Sequence, residues 1–370
     1  MPTEQRPQPL TVMFPAGLDP RCAGGDLYGF FHPETAHVMV VPPGGAIPGC
    51  RNLRRGAEAP GLEARLDAKG WSFQAEGWSC IASPYDLEAD LFSRHRGLLD
   101  TTAIAGFGVV VCGCGSVGSL AAVDLARSGV TRFLLVDDDL LSIENLCRHQ
   151  CGLADVGRRK VDAVADRIRL VNPSAVVQVA PLLLEQLDPG VLAGFCVEET
   201  LMLACADSRR ADRYAARLAA RLRLPFLSIG LWERAFAGEI FYWHPDQPMP
   251  CYSCALAGLD QAMPNRPQPQ RRFYSTETDL EAQAFQPGLA IDIAHVTQIG
   301  LKLALDLLNR KASSYVPRLL GHLSQYTLVC NTNDPCIGGE AAEIFSHPLQ
   351  VTTSIQVGYG DNSRTCPCCS

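Results

Sequence analysis

Several features that would place this chain in a membrane, outside the cell or on nucleic acid are missing. No uninterrupted apolar run approaches the roughly 18–20 residues of a membrane span. The opening Met1-Pro2-Thr3-Glu4-Gln5-Arg6-Pro7 lacks the basic-then-apolar order of a secretion signal. There is no long run of Lys and Arg, and with 32 basic against 39 acidic residues the formal net charge of −7 repels polyanions. These absences predict a cytoplasmic chain with no membrane and no nucleic-acid partner. No internal repeat is visible, which excludes a solenoid. Cysteine, by contrast, is plentiful, with 16 in 370 residues. In a chain of this length without a signal, such thiols are buried residues, metal ligands or reactive centres rather than a disulfide scaffold.

What is present divides into two textures. Residues 1–85 alternate short apolar stretches, such as Leu10-Thr11-Val12-Met13-Phe14 and His37-Val38-Met39-Val40-Val41, with Pro-Pro-Gly-Gly and Ala-Gly-Gly turns. This predicts a small β-rich N-terminal module. Residues 86–370 carry uninterrupted apolar strand candidates at 107–112, 132–136, 201–205 and 225–229, and helix patterning at 116–128, 157–171, 208–222 and 289–309. The order is that of an α/β, doubly wound, mostly parallel sheet. Prolines within 263–272 exclude a helix or inner strand there, so about 255–288 is read as a crossover loop.

The strand Val109-Val110-Val111-Cys112 runs into Gly113-Cys114-Gly115-Ser116-Val117-Gly118 and a helix, while Asp137 closes the next strand. Such a turn aims backbone N–H groups and a helix N-terminus at phosphate, and an acid at that position reaches a ribose. The same turn and acid serve an NAD-dependent oxidoreductase, which is the weaker alternative. Asn145 and Arg148 tell against it, because a dinucleotide enzyme has no need of a guanidinium fork there and a triphosphate site does. Lys160 opens a helix and could reach an α-phosphate, and Asp207 follows the strand Leu201–Ala206, where a carboxylate could hold Mg²⁺.

Two cysteine hooks complete the inventory. Cys251-Tyr252-Ser253-Cys254, expected on a turn, and Cys366-Pro367-Cys368-Cys369 each offer two thiolates at i, i+3. Together they make one closed, structural Zn²⁺ site, with Cys369 favoured over Cys368 on spacing.

From about Phe92 to Cys369 the chain resembles the ThiF/MoeB/ubiquitin-activating (E1-like) adenylyltransferases, including those of bacterial ubiquitin-like conjugation operons. The matching segments are Gly113–Gly118, Leu135–Asp139, Asn145–Arg148, Val156–Lys160, Asp207 and both hooks. The resemblance implies that Asp137 binds ribose and that Asp139 belongs to the nucleotide site. It further implies that Asn145, Arg148 and Lys160 engage phosphates, that Asp207 binds Mg²⁺, and that Arg94 reaches into a neighbouring subunit's ATP site. A homodimer follows from that last role. The implied activity is ATP-dependent adenylation of the C-terminal carboxylate of a ubiquitin-like (β-grasp) protein, with onward transfer to a conjugating enzyme; the alternatives are a sulfur-carrier protein or a peptide C-terminus.

The chain departs from the pattern in three places. His149 stands where a glutamine usually follows the arginine, and Ser208 where Asn usually follows the aspartate. The crossover segment 255–293 has no cysteine to carry a thioester. Either the enzyme stops at the acyl-adenylate, or another thiol such as Cys336 serves, or a substitution has removed the nucleophile, Ala284 being the position concerned.

Overall fold

Strands rich in Val, Leu and Ile with no polar residue on either side can be stable only when both faces are covered. The computed structural model describes residues 8–42, 47–56, 58–197, 199–257, 287–359, 366, 368 and 369, and its contacts divide the chain into two units. The first comprises Met1–Arg96 with Asn172–Ser174, and the second Gly97–Val171 with Ala175–Ser370.

In the first unit, β1 (Leu10–Pro15), β2 (Tyr28–His32), β3 (His37–Val40), β4 (Arg51–Asn52) and β7 (Cys80–Tyr85) form a sheet in the order β4-β2-β3-β1-β7. β5 (Glu63–Asp67) and β6 (Gly70–Gln74) form a separate hairpin. Leu10, Val12 and Phe14 alternate inward from β1 and meet Val38, Val40, Leu62 and Phe73 in one core. The unit ends in the short helix α1 (Leu87–Leu91) and a 3-10 turn, Ser93–His95.

The second unit is mixed α/β. After the short α2 (Thr101–Ile104) come β8 (Gly108–Cys112), α3 (Ser116–Arg127), β9 (Arg132–Val136), α4 (Lys160–Val171), β10 (Val176–Ala180) and α5 (Pro189–Phe195). β11 (Thr200–Ala204), α6 (Arg209–Arg221), β12 (Phe226–Leu231), β13 (Ala237–Trp243) and α7 (Tyr252–Ala257) follow, then α8 (Ala290–Leu308), β14 (Tyr326–Cys330), α9 (Pro335–Gly338) and β15 (Val351–Thr352). The sheet order is β10-β9-β8-β11-β12-β13-β14-β15, parallel from β10 to β12 and antiparallel beyond. Period-two geometry sorts each inner strand onto two cores. Val109 and Val111 of β8 join Phe133, Leu135, Leu201 and Leu203 on one face, while Val110, Cys112, Leu134, Val136, Met202 and Ala204 take the other. Among the described residues no helix is long and apolar enough to cross a membrane.

Register positions the site. Cys112 stands opposite both Val136 and Ala204, so Gly113, Asp137 and Cys205 all leave the sheet at one carboxyl edge. The chain runs from β8 through α3 to β9 on one side and returns to β11 on the other, which places a topological switch point between β8 and β11.

Candidate functional site

Two glycines make the turn after β8 possible. Gly113 has φ of 94°, and a Cβ there would come 2.9 Å from the Cys205 carbonyl oxygen. At Gly118 a Cβ would stand 1.8 Å from the Gly113 carbonyl oxygen, so only glycine lets α3 approach the turn this closely. Gly118 is buried and supports the turn from beneath, whereas Gly113 and Gly115 face a cleft of about 570 Å³ at the carboxyl edge. Asp137, Asp139, Asn145, Arg148, Lys160 and Asp207 line the same cleft.

Its charged groups are held by backbone and by one another. Asp137 accepts the Cys114 amide at 2.7 Å and the Asp139 amide at 2.8 Å. Burial pushes its carboxyl above the usual range, against Lys160 and those two hydrogen bonds. Lys160 is the first residue of α4, and its Nζ lies 3.1 Å from the Asp139 carboxylate. Burial acts to lower its pKa, but the carboxylates of Asp137, Asp139 and Asp207 outweigh it and hold the ammonium above the ordinary lysine value. The Asn145 side-chain oxygen caps its own 3-10 turn by accepting the Ser142 amide at 3.1 Å. Asp207 is exposed just before Ser208, which caps α6 by accepting from the Arg210 amide. Cations, two backbone turns and an exposed carboxylate thus converge in a cleft wide enough for a nucleotide, a donor set suited to a triphosphate and a hard divalent cation.

Several lining residues carried no signal strong enough to be read beforehand. Leu182–Glu185 line the cleft because β10 precedes them. β10, Val176-Val177-Gln178-Val179-Ala180, is four apolar residues around one glutamine, too short to mark a strand by its period. Trp232 also lines the cleft; its indole N–H donates to Glu239 at 3.0 Å, and that buried carboxylate also pairs with Arg209 and accepts the Tyr326 hydroxyl.

Far along the chain, Cys251, Cys254, Cys366 and Cys369 bring their sulfurs within 4.8 Å of one another. Cys251 and Cys366 are 3.6 Å apart and Cys254 and Cys369 3.7 Å, close to the edge of about 3.8 Å that four thiolates make around a tetrahedral Zn²⁺. Cys254 lies within α7 rather than on a turn, a correction to the expectation, because the residues after Pro250 close a helical turn with the Ala255 amide bonded to the Cys251 carbonyl. Cys368 is not one of these four, although its thiol meets those of Cys251 and Cys366.

Cys336 is not among the residues that line the cleft. Arg94 is exposed on the 3-10 turn of the first unit, and Cys336 is exposed in α9. Ala284, with the rest of 258–286, lies outside the described residues.

Residues 90–332 match the family model described as "ThiF family". The chain belongs to the ThiF family. It is 26% identical over 236 residues to ubiquitin-like modifier-activating enzyme 5 of Oryza sativa subsp. japonica, covering 60% of this chain and 54% of that one. Molybdopterin-synthase adenylyltransferase of Escherichia coli (strain K12) is 30% identical over 147 residues, 40% of this chain and 57% of that protein. The chain thus spans about half the length of the curated relatives it matches. Among solved structures, E. coli MccB with ATP superposes with a TM-score of 0.51 at 16% identity, covering 73% of this chain and 68% of that one, a likeness of fold.

Proposed function

We propose that this chain is an adenylyltransferase that activates the C-terminal carboxylate of a ubiquitin-like protein. The observation that carries the reading is the convergence of Asp137, Arg148, Lys160 and Asp207 beside the glycine turn in one cleft at the switch point. In this reading Asp137 holds the ribose, and the glycine turn with the α3 N-terminus, Asn145 and Arg148 cradle the phosphates. Asp207 would hold Mg²⁺, which supplies charge neutralisation on the phosphate oxygens when bound. A substrate carboxylate oxygen attacks the α-phosphorus, the bond from that phosphorus to the bridging oxygen breaks, and pyrophosphate leaves; no proton moves. Lys160 stabilises the charge that develops on the α-phosphate oxygens. Because the nucleophile belongs to the substrate, the chain contributes position and electrostatics. The relatives named as activating a ubiquitin-like modifier and as molybdopterin-synthase adenylyltransferase support this class of substrate, with a sulfur-carrier or peptide carboxylate as the second reading. The product would pass to a conjugating enzyme or a sulfur donor. A symmetric homodimer with Arg94 serving the partner's cleft completes the proposal, and the four-cysteine cluster would hold a structural Zn²⁺.

The test is ATP–pyrophosphate exchange with a panel of small β-grasp proteins and short peptides, each with a free or an amidated C-terminus. Exchange that needs the free carboxylate supports the reading; NAD binding without exchange refutes it. Sedimentation of a fully active chain as a monomer would remove the dimer. A non-reducing gel tests the thioester: none is expected, and a reductant-sensitive adduct lost in Cys336→Ala would overturn that expectation.

A further inference from the structure

His149, which replaces the usual glutamine, is 8% exposed and lines the cleft beside Arg148. Its Nε2 lies 2.8 Å from the Cys114 carbonyl oxygen, and its Nδ1 lies 3.1 Å from the Cys151 amide nitrogen. A carbonyl can only accept and an amide N–H can only donate, so the ring is neutral with its proton on Nε2. The Cys114 residue is thereby gripped at both ends: its N–H donates to Asp137 and its carbonyl accepts from His149. One imidazole thus ties the glycine turn to the segment that carries Asn145 and Arg148.

We infer that His149 is a positioning residue for nucleotide binding, a neutral clamp that sets the glycine turn against Arg148. The inference rests on the reading of the cleft as an ATP site. Its fixed tautomer makes the clamp sensitive to charge: a proton on Nδ1 would face the Cys151 N–H and break that half. Burial favours the neutral ring, and the Lys160 ammonium from α4 acts the same way. The hydrogen bond to Cys114 and the Asp155 carboxylate from the 3-10 turn Leu153–Asp155 oppose them, leaving the pKa below the ordinary histidine value. The two residues it bonds, Cys114 and Cys151, carry thiols that burial holds in the protonated form.

The experiment is calorimetric titration of the full chain with ATP and Mg²⁺ between pH 5.5 and 8, comparing wild type, His149→Ala and His149→Gln. Losing both hydrogen bonds in His149→Ala, which takes the imidazole partner from the Cys114 carbonyl and the Cys151 amide, should weaken ATP at least about tenfold. His149→Gln should stay within about twofold of wild type at pH 7.5, since its amide N–H can serve Cys114 and its oxygen can serve Cys151. As pH falls, wild type should lose affinity relative to His149→Gln, because only the imidazole takes up a proton; the titration of ATP itself is common to both. If His149→Ala fails to fold, the wild-type and His149→Gln pair decides. His149→Ala binding as tightly as wild type, His149→Gln as weak as His149→Ala, or a pH-independent ratio would each overturn the clamp. Wild type failing to bind ATP would instead refute the nucleotide reading on which it stands.

Discussion

The cleft and the cysteine cluster hold their chemical groups in opposite ways. In the cleft, Gly113, Asp137 and Cys205 are each the first residue beyond a shared register position, so three short strand ends deliver them to one edge. The turn and its acid are joined by a backbone hydrogen bond from Cys114 to Asp137. The thiols come from two hooks more than a hundred residues apart, and Cys251 donates its backbone N–H to the Cys369 sulfur at 3.4 Å. Parallel-sheet packing positions the first site with no ligand present, since β8, β9 and β11 behind it are buried on both faces. Thiols offer little attraction for one another, so a bound Zn²⁺ would be what fixes the second site. One site should therefore tolerate loss of its ligand and the other should not.

The largest expected effect tests that contrast directly. Metal analysis should find one Zn²⁺ per chain, and its removal by a chelator or by Cys254→Ser should cost several kcal/mol, a fall in Tm of roughly 10 °C. Metal-free protein with an unchanged melt would abolish the contrast. Next comes Gly118→Ala, which forces a methyl into the Gly113 carbonyl and should cost about 3 kcal/mol or more while weakening ATP binding. A normal melting curve would mean that the turn is softer than its packing implies. Arg148→Ala and Asp207→Ala act at the open edge instead, so pyrophosphate exchange should fall by roughly ten- to a hundredfold with Tm nearly unchanged. A loss of stability that matches the loss of exchange would place them in the scaffold. The smallest effect sharpens the cluster's membership: Cys368→Ser should leave zinc content intact and stability within about 0.5 kcal/mol. Loss of metal in that variant would assign the fourth ligand to Cys368.

Much of the second unit was legible because its signals are local. The apolar strands at 107–112 and 132–136 and the helices at 116–128 and 289–309 correspond to β8, β9, α3 and α8 within a residue or two. Each is a segment whose burial requirement is written in consecutive residues. β10 is not legible because it is a five-residue edge strand with three residues exposed, too short to carry a period. Leu182–Glu185 were missed with it. Trp232 and Glu239 were missed for a different reason: their partners Arg209 and Tyr326 are distant in sequence, and nothing in the neighbours of a lone tryptophan tells that its N–H will meet a buried carboxylate.

By itself the sequence determined the alternation of strands and helices, the glycine turn and the order of its charged residues, because backbone sterics and hydrophobic period act over a few residues. Only the tertiary structure decided that His149, a departure in the motif, bridges two turns of the cleft, and that the two cysteine hooks meet, with Cys369 in the place that spacing favoured. It also decided that Cys254 sits on a helix. Those outcomes depend on the register of the sheet and on which atoms meet after long stretches of chain return to it, and no local pattern carries that distance.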